Sequence, residues 1–571
     1  MDISKTLFKE YSKCERMYSL DIIHKQKYHT NYQNDEIREI LSVMFDELGE
    51  DEFNIDDPQL EVMLPYYQKV EEIAIKEASK VFKKEFTYFP NTLDQKSFSF
   101  KDNEGNSLYT YLDGYYEDDD EIIVIEVKAT TDRKFLELGP TIKKELHRVF
   151  EKKKQVLFLK EDLNDKQLKT LEKIYDRNSD VGKYFHDLAI TNYIIQNSKI
   201  DKPIRYYLAV LNSRYIFNGE YINGEPSYYS GNEGIITFIE ANKLLKGYYE
   251  IIIKEHQMIQ NVIKSNQIRK SKFKKECKEC LYKKLCFEEL NQKYSIATLM
   301  APKKIKDETI YDLYNRGVCY LKDIEFSSVE KENHQIQLKS LNCEEVINQQ
   351  QIEEKLNQIE YPIYHLDFEG FNGPLPRFKG EFPYMQSIFQ YSIHIEKEPN
   401  LCERYKDNYA FIPNDFLDHR EELIQEMIRI IDLSNGGTVL VYNKAYESTR
   451  IKELIKIFPK YQRELRVILD HIFDLKDVIK GSGYNSVSYY HRDLEGSYSI
   501  KKVLPIFSNL TYKDLMIHNG VEAIVNYAKF KDMEQNEIEE IRNNLIEYCG
   551  LDTYSMFVIL KEIKNKIKYQ G

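Results

Sequence analysis

Ile122-Ile-Val-Ile-Glu126-Val-Lys128 is a β-branched run in which one carboxylate and one ammonium stand two positions apart. Alternation along a strand sends Glu126 and Lys128 to one face and Ile125 and Val127 to the other. Upstream, Leu108-Tyr-Thr-Tyr-Leu-Asp113-Gly114-Tyr-Tyr reads as the partner strand, with a turn through Glu117 to Glu121. The two form a hairpin. A strand this apolar lies inside a domain, where unpaired charges are costly. Asp113, followed by a glycine that permits a bend, supplies a second carboxylate. Asp113 and Glu126 together can hold a divalent cation, and Lys128 beside them can help deprotonate a bound water for phosphodiester hydrolysis. An ordinary wet-faced hairpin with a cross-strand Asp-Lys pair has the same spacing.

Working outward, the chain of 571 residues is too long for one core and suggests three or four units. Apolar residues at 42% and charged residues at 31% exclude a disordered or collagen-like chain. No run of about 18 apolar residues exists to span a membrane, and the first twenty residues lack an apolar stretch, which leaves the cytoplasm as the expected location. A net charge of −13 argues against indiscriminate coating of nucleic acid but permits a local basic groove. The segment from Lys264 to Lys284 is such a run, with nine Lys or Arg against two Glu.

That basic run contains Cys277-x2-Cys280-x5-Cys286. With the distant Cys14 it offers four thiolates, enough for a tetrahedral zinc or a cubane [4Fe-4S] cluster. A disulfide framework does not fit a large chain without a secretory signal. Cys319, Cys343, Cys402 and Cys549 read as ordinary thiols. The cysteine spacing and the Asp113/Glu126/Lys128 triad together resemble the RecB-like PD-(D/E)XK nucleases that carry an iron-sulfur cluster. The resemblance implies that a 4Fe-4S cluster on Cys14, Cys277, Cys280 and Cys286 staples the two ends of the nuclease domain. In that family a Gln precedes the Tyr of a later helix. Tyr184-Phe-His-Asp187-Leu-Ala-Ile-Thr191-Asn-Tyr193 has Thr191 in its place, and Glu36 and Glu39 are candidates for an early-helix metal ligand.

Residues 130 to 290 read as long helical patterns. Residues 296 to 324 read as two short helices joined around Lys303-Lys304, and 327 to 359 as a polar linker or lone helix. From Tyr361 strands and helices alternate up to a long final helix, about Glu534 to Lys568, an α/β pattern. In Tyr364-His-Leu-Asp367-Phe-Glu369-Gly370 two acids share one face of a strand. Glu447, in Val441-Tyr-Asn443-Lys-Ala-Tyr-Glu447, opens a helix. Asp552 follows Tyr548 by four positions on the last helix, so phenol and carboxylate share a face. Four such acids and a tyrosine can build a two-metal site for Mg2+ or Mn2+.

In that order the motifs resemble the DnaQ-like (DEDD) exonucleases of the RNase H-like fold, except that Glu447 stands where Asp is usual. Phe382-Pro-Tyr-Met-Gln-Ser-Ile-Phe-Gln-Tyr-Ser-Ile-His394 and Asp493-Leu-Glu-Gly-Ser-Tyr-Ser-Ile-Lys-Lys-Val-Leu-Pro505 resemble a bacterial family that fuses the two nucleases. Within the second stretch Ser499 is placed to cap a helix, and Lys501 or Lys502 to reach a phosphate. The expected fold class is therefore α/β multidomain: a PD-(D/E)XK nuclease with an iron-sulfur staple over 1–295, a helical connector over 296–359, and an RNase H-like exonuclease over 360–571. The implied function is hydrolysis of nucleic acid at two separate sites, as an exonuclease on single-stranded DNA or DNA ends that releases mononucleotides from 3′ ends at the second site. DNA stands ahead of RNA as partner, and no membrane is involved. The alternatives are a ribonuclease, or a nucleic-acid-binding scaffold with one or both sites inactive.

Overall fold

The computed structural model describes residues 1–28, 59–228, 234–265, 267, 269–280, 282–481, 483 and 486–568. Glu36 and Glu39 lie outside the described residues. The chain is a mixed α/β protein that divides into two compact units, one of 1–286 with 373–385 and one of 287–372 with 386–571. Among the described residues no helix is long and apolar enough to cross a membrane.

The first unit is built on a six-stranded sheet of β1 (Gly114–Glu117), β2 (Ile122–Thr131), β3 (Phe150–Lys153), β4 (Val156–Leu159), β5 (Ile204–Leu211) and β6 (Ile236–Glu240), in the order β1-β2-β5-β6-β4-β3. Its decisive strand is β2, buried at all ten positions. Central placement explains the unbroken Ile-Ile-Val-Ile run, since helices cover both faces of such a strand. Antiparallel β1 and parallel β5 flank it. Asp113 is not on the partner strand. It falls in the short gap between strand Ser107–Tyr111 and β1.

The long helical patterns expected after residue 130 are only partly present: β3 to β6 interrupt them, leaving α2 (Gly182–Asn197) and α3 (Asn242–Ser265) as the long helices there, with α1 (Lys5–Lys13) at the start of the chain. The strands were hidden because they are only four to eight residues long, too short for a period to separate strand from helix. Strand Asp2–Ser4 pairs in parallel with Ser107–Tyr111, and Ser4 Oγ then caps α1 by accepting from Leu7 N at 3.1 Å. The loop 373–385 belongs to this unit, where Tyr384 donates to Ala129 O at 2.7 Å and Pro376 O accepts from Tyr228 at 2.9 Å.

The second unit has a five-stranded sheet of β7 (Ile363–Asn372), β8 (Gln386–Glu396), β9 (Asn408–Phe411), β10 (Thr438–Val441) and β11 (Ile472–Asp474), ordered β9-β8-β7-β10-β11. The pairs on one side of β7 are antiparallel and those on the other parallel. Leu366, Phe368, Ile393, Leu423, Met427, Val439 and Ile451 form its core. Around it lie α4 (Lys444–Ile457), α5 (Ile500–Phe507) and the 32-residue α6 (Gln535–Lys566).

Residues 296–359 do not stand apart as a connector; they fold with the second unit. Of the two short helices expected over 296–324, Ile310–Asn315 is a helix and Ile296–Thr298 a single 3-10 turn, and between them Lys304–Ile305 pairs with Glu308–Thr309 in a small hairpin. The polar stretch after 327 is packed. Helix Glu332–Cys343 buries Asn333, His334 and Gln337, whose side chains bond the carbonyls of Ala301, Met300 and Thr298. Polarity there reflects satisfied buried hydrogen bonds. Ser499 occupies the N-cap position of α5, but its side chain makes no capping bond.

Candidate functional site

In the first unit, Glu126 and Lys128 leave the same face of β2 and meet at 2.9 Å. Two further elements converge on them. Helix α1 brings Lys5 to Glu126 Oε1 at 2.5 Å and Lys9 to Asp187 at 2.8 Å, and α2 brings Asp187 to Lys128 at 3.1 Å. Lys5 and Lys9 are four apart, so the capped helix presents both on one side. Asp113 Oδ2 accepts from the Val127 backbone at 2.7 Å.

Three ammoniums thus face three carboxyls in a buried cluster. Burial opposes ionisation of Glu126, but Lys128 and Lys5 outweigh it and hold the carboxyl below its usual range. Burial likewise opposes ionisation of Asp187, and Lys9, Lys128 and Lys5 hold it well below. Burial, then the Glu126 charge, pushes Asp113 up to about 7. Glu126 Oε2 is buried with no hydrogen-bond partner.

Sequence reading placed Asp113, Glu126 and Lys128 here and missed Lys5, Lys9 and Asp187. The available signal for Asp187 was an acid inside the apolar helix segment around Phe185, Leu188 and Ile190, where an unpaired charge is costly. Thr191, on the same helix, is buried with an unpartnered hydroxyl.

In the second unit, Asp367 and Glu369 on β7 and Asp552 on α6 bring one oxygen each within 4.8 Å of one another. Among the described residues this is the one group of acids, histidines or cysteines so closely gathered. The register of β7 against β8 shifts after Glu369. A bulge of this kind re-aims the neighbouring side chain. Burial, then Asp552, raises Asp367 well above the carboxylate range; burial, then Asp367 and Asp552, does the same to Glu369. Burial lifts Asp552 to about 6 against the pull of Tyr512, Lys501 and Tyr548.

Glu447, in the first turn of α4, is not among the oxygens of that group. It faces Asp367 electrostatically, is itself raised by burial and then by that charge, and its Oε2 is buried without a partner. Tyr548 stands one helical turn before Asp552 and its phenol pulls that carboxyl down. Tyr512, unforeseen from the sequence, donates to Asp552 Oδ1 at 2.6 Å. Lys501 stands 5.3 Å from the centres of both phenol rings, and Lys502 instead pairs with Glu495 at 2.9 Å. Cys549 is not an ordinary thiol, because its Sγ lies 3.6 Å from Asp367 Oδ2.

Cys14, Cys277, Cys280 and Cys286 are each partly buried. Cys277 is electrostatically coupled to Cys14 and Cys286, Cys280 to Cys277 and Cys286, and Cys286 to Cys14, but no three of these sulfurs lie within 4.8 Å of one another. Residues 257 positions apart meet here, as Cys14 Sγ donates to Ser271 Oγ at 3.2 Å. Burial pushes the Cys277 thiol up to about 11 and that of Cys280 to about 12.

Comparison with known proteins adds little chemistry. A family described as a domain of unknown function (DUF2779) matches residues 364–499, which include Asp367, Glu369 and Glu447 but neither Tyr548 nor Asp552. An uncharacterised protein of Ureaplasma parvum, UU173, is 29% identical over 222 residues, 36% of this chain and 31% of that protein. The chain therefore spans less than a third of that relative. No solved structure matches.

Proposed function

We propose that the protein is a metal-dependent nuclease with two separate sites, an exonuclease acting on single-stranded DNA or DNA ends. The observation that carries the reading is the close gathering of Asp367, Glu369 and Asp552. Three carboxylates this near repel one another unless a cation lies between them. An all-oxygen donor set suits Mg2+ or Mn2+, and Glu447, raised by the Asp367 charge and with Oε2 buried without a partner, is a further candidate ligand. A divalent cation held there neutralises charge on the attacking and leaving oxygens of a phosphodiester displacement.

The chain's own groups divide the remaining work. Burial and the surrounding carboxylates keep the Tyr548 phenol protonated. It positions the attacking water as a hydrogen-bonding partner and does not remove its proton. Tyr512 fixes Asp552, and Lys501 offers an ammonium to the substrate phosphate. In the first unit Lys128 activates water beside Glu126 and Asp113. Cys14, Cys277, Cys280 and Cys286 would hold the iron-sulfur cluster; burial raises the thiols of Cys277, Cys280 and Cys286, and a cationic metal beside them would favour their thiolates. Lys-rich neighbours on 269–284 provide contacts to a strand's phosphates.

The test is release of nucleotides from 3′-labelled single-stranded DNA, double-stranded DNA and RNA by the full chain, with Mn2+ or with chelator. Asp367→Asn should remove release by the second site; equal rates for the variant and wild type reject that site's assignment. Anaerobically prepared protein should carry about four iron and four sulfide per chain, reduced in Cys286→Ser. Stoichiometric zinc without iron rejects the cluster.

A further inference from the structure

Resting on the nuclease reading of the first unit, we propose that Lys5 is an exchangeable counter-ion, an ammonium on Glu126 Oε1 that gives way to a divalent cation. Glu126 is 1% exposed and carries two ammoniums, those of Lys5 at 2.5 Å and Lys128 at 2.9 Å. A buried carboxylate that stays ionised after losing its partners is strongly destabilising, so while charged it keeps a cation beside it.

The cluster of Lys5, Lys9 and Lys128 with Glu126, Asp187 and Asp113 is close to neutral as it stands. A divalent cation that entered without any departure would leave about two excess positive charges in a buried space. One ammonium has to leave, and the structure distinguishes the two on Glu126. Lys128 is 2% exposed, projects from the fully buried strand β2 and also pairs with Asp187. Lys5 is 17% exposed, lies in the first turn of the half-buried helix α1 and has Glu126 as its salt-bridge partner.

Its long stem lets the ammonium swing outward without moving the backbone. Outward of Glu126 it meets the incoming phosphodiester, whose negative charge offsets the cation. Lys5 thereby couples occupation of Glu126 by metal to the presence of substrate, and acts as a positioning residue.

The experiment is Mn2+ binding alone, by calorimetry and electron paramagnetic resonance. It uses the full chain carrying Asp367→Asn and Asp552→Asn, which silences the oxygen group of the second unit. Removing the competing ammonium by Lys5→Met should tighten Mn2+ binding by about tenfold, and Lys5→Arg, which keeps the charge, should restore the original affinity. Circular dichroism of both variants checks folding. Glu126→Gln should weaken Mn2+ binding. If Glu126→Gln weakens it but Lys5→Met leaves it unchanged or weaker, the counter-ion proposal is overturned. If Mn2+ binding ignores Glu126→Gln, the metal reading of the first unit fails, and the proposal with it.

Discussion

Asp552 joins the electrostatics of the second unit to its stability. Its carboxyl rises from the ordinary 3.8 to about 6 because burial disfavours the charge. A group whose folded value is raised binds more protons folded than unfolded between the two values, so stability falls as pH climbs through that window. Without metal the protein should therefore be less stable at pH 8 than near pH 4 as far as this group is concerned, and Asp367 and Glu369 add in the same direction. Asp552→Asn removes the charge and should raise the melting temperature by several degrees at pH 8 in chelator, with the difference from wild type fading toward pH 4. Mn2+ should stabilise wild type more than the variant. A variant that melts below wild type at pH 8 in chelator would contradict this account. These acids were legible in the sequence because strand and helix periods fix which side chains share a face. Tyr512, Lys5 and Asp187 were not, since each acquires its role from a partner 40, 121 or 59 positions away in the chain.

The long terminal helix α6 carries Tyr548, Cys549 and Asp552 on the side that faces β7, and in their midst lies Gly550. A glycine inside a helix costs about 0.5 to 1 kcal/mol relative to alanine, because the unfolded chain loses more freedom. A Cβ built at Gly550 meets its nearest neighbour, Asn408 Nδ2, at 3.5 Å, an ordinary contact. Gly550→Ala should then stabilise the protein by up to about 1 kcal/mol, read as a higher midpoint in urea unfolding with unchanged slope. A lower midpoint would mean that Asn408 cannot accommodate even a methyl group. This helix, β2, β7 and β8 were readable because each is long and strongly patterned. The short strands β3 to β6 and the packed helix Glu332–Cys343 were not, the former for want of a period and the latter because its buried amides imitate a solvated linker.

At the scale of the whole molecule, each proposed catalytic group set is drawn from one compact unit. Lys5, Lys9, Asp113, Glu126, Lys128 and Asp187 all belong to the first, and Asp367, Glu369, Glu447, Lys501, Tyr512, Tyr548 and Asp552 to the second. Groups that share no partner act independently, as distant substitutions usually do. For two sites working side by side on one substrate pool, rates add. The rate lost in Lys128→Ala and the rate lost in Asp367→Asn should therefore sum to the rate lost in the double variant, leaving only background release. The measurement is total acid-soluble nucleotide from uniformly labelled single-stranded DNA in Mn2+, for wild type, both single variants and the double, each checked for folding by its melting curve. Loss of a charged lysine from a buried cluster lowers the melting temperature, so the comparison belongs well below that transition. A double variant that retains more activity than the singles allow would place catalysis elsewhere in the chain. If Lys128→Ala alone abolishes release while Asp367→Asn does nothing, the second acid group binds metal without acting on the strand, and the protein has a single working nuclease site.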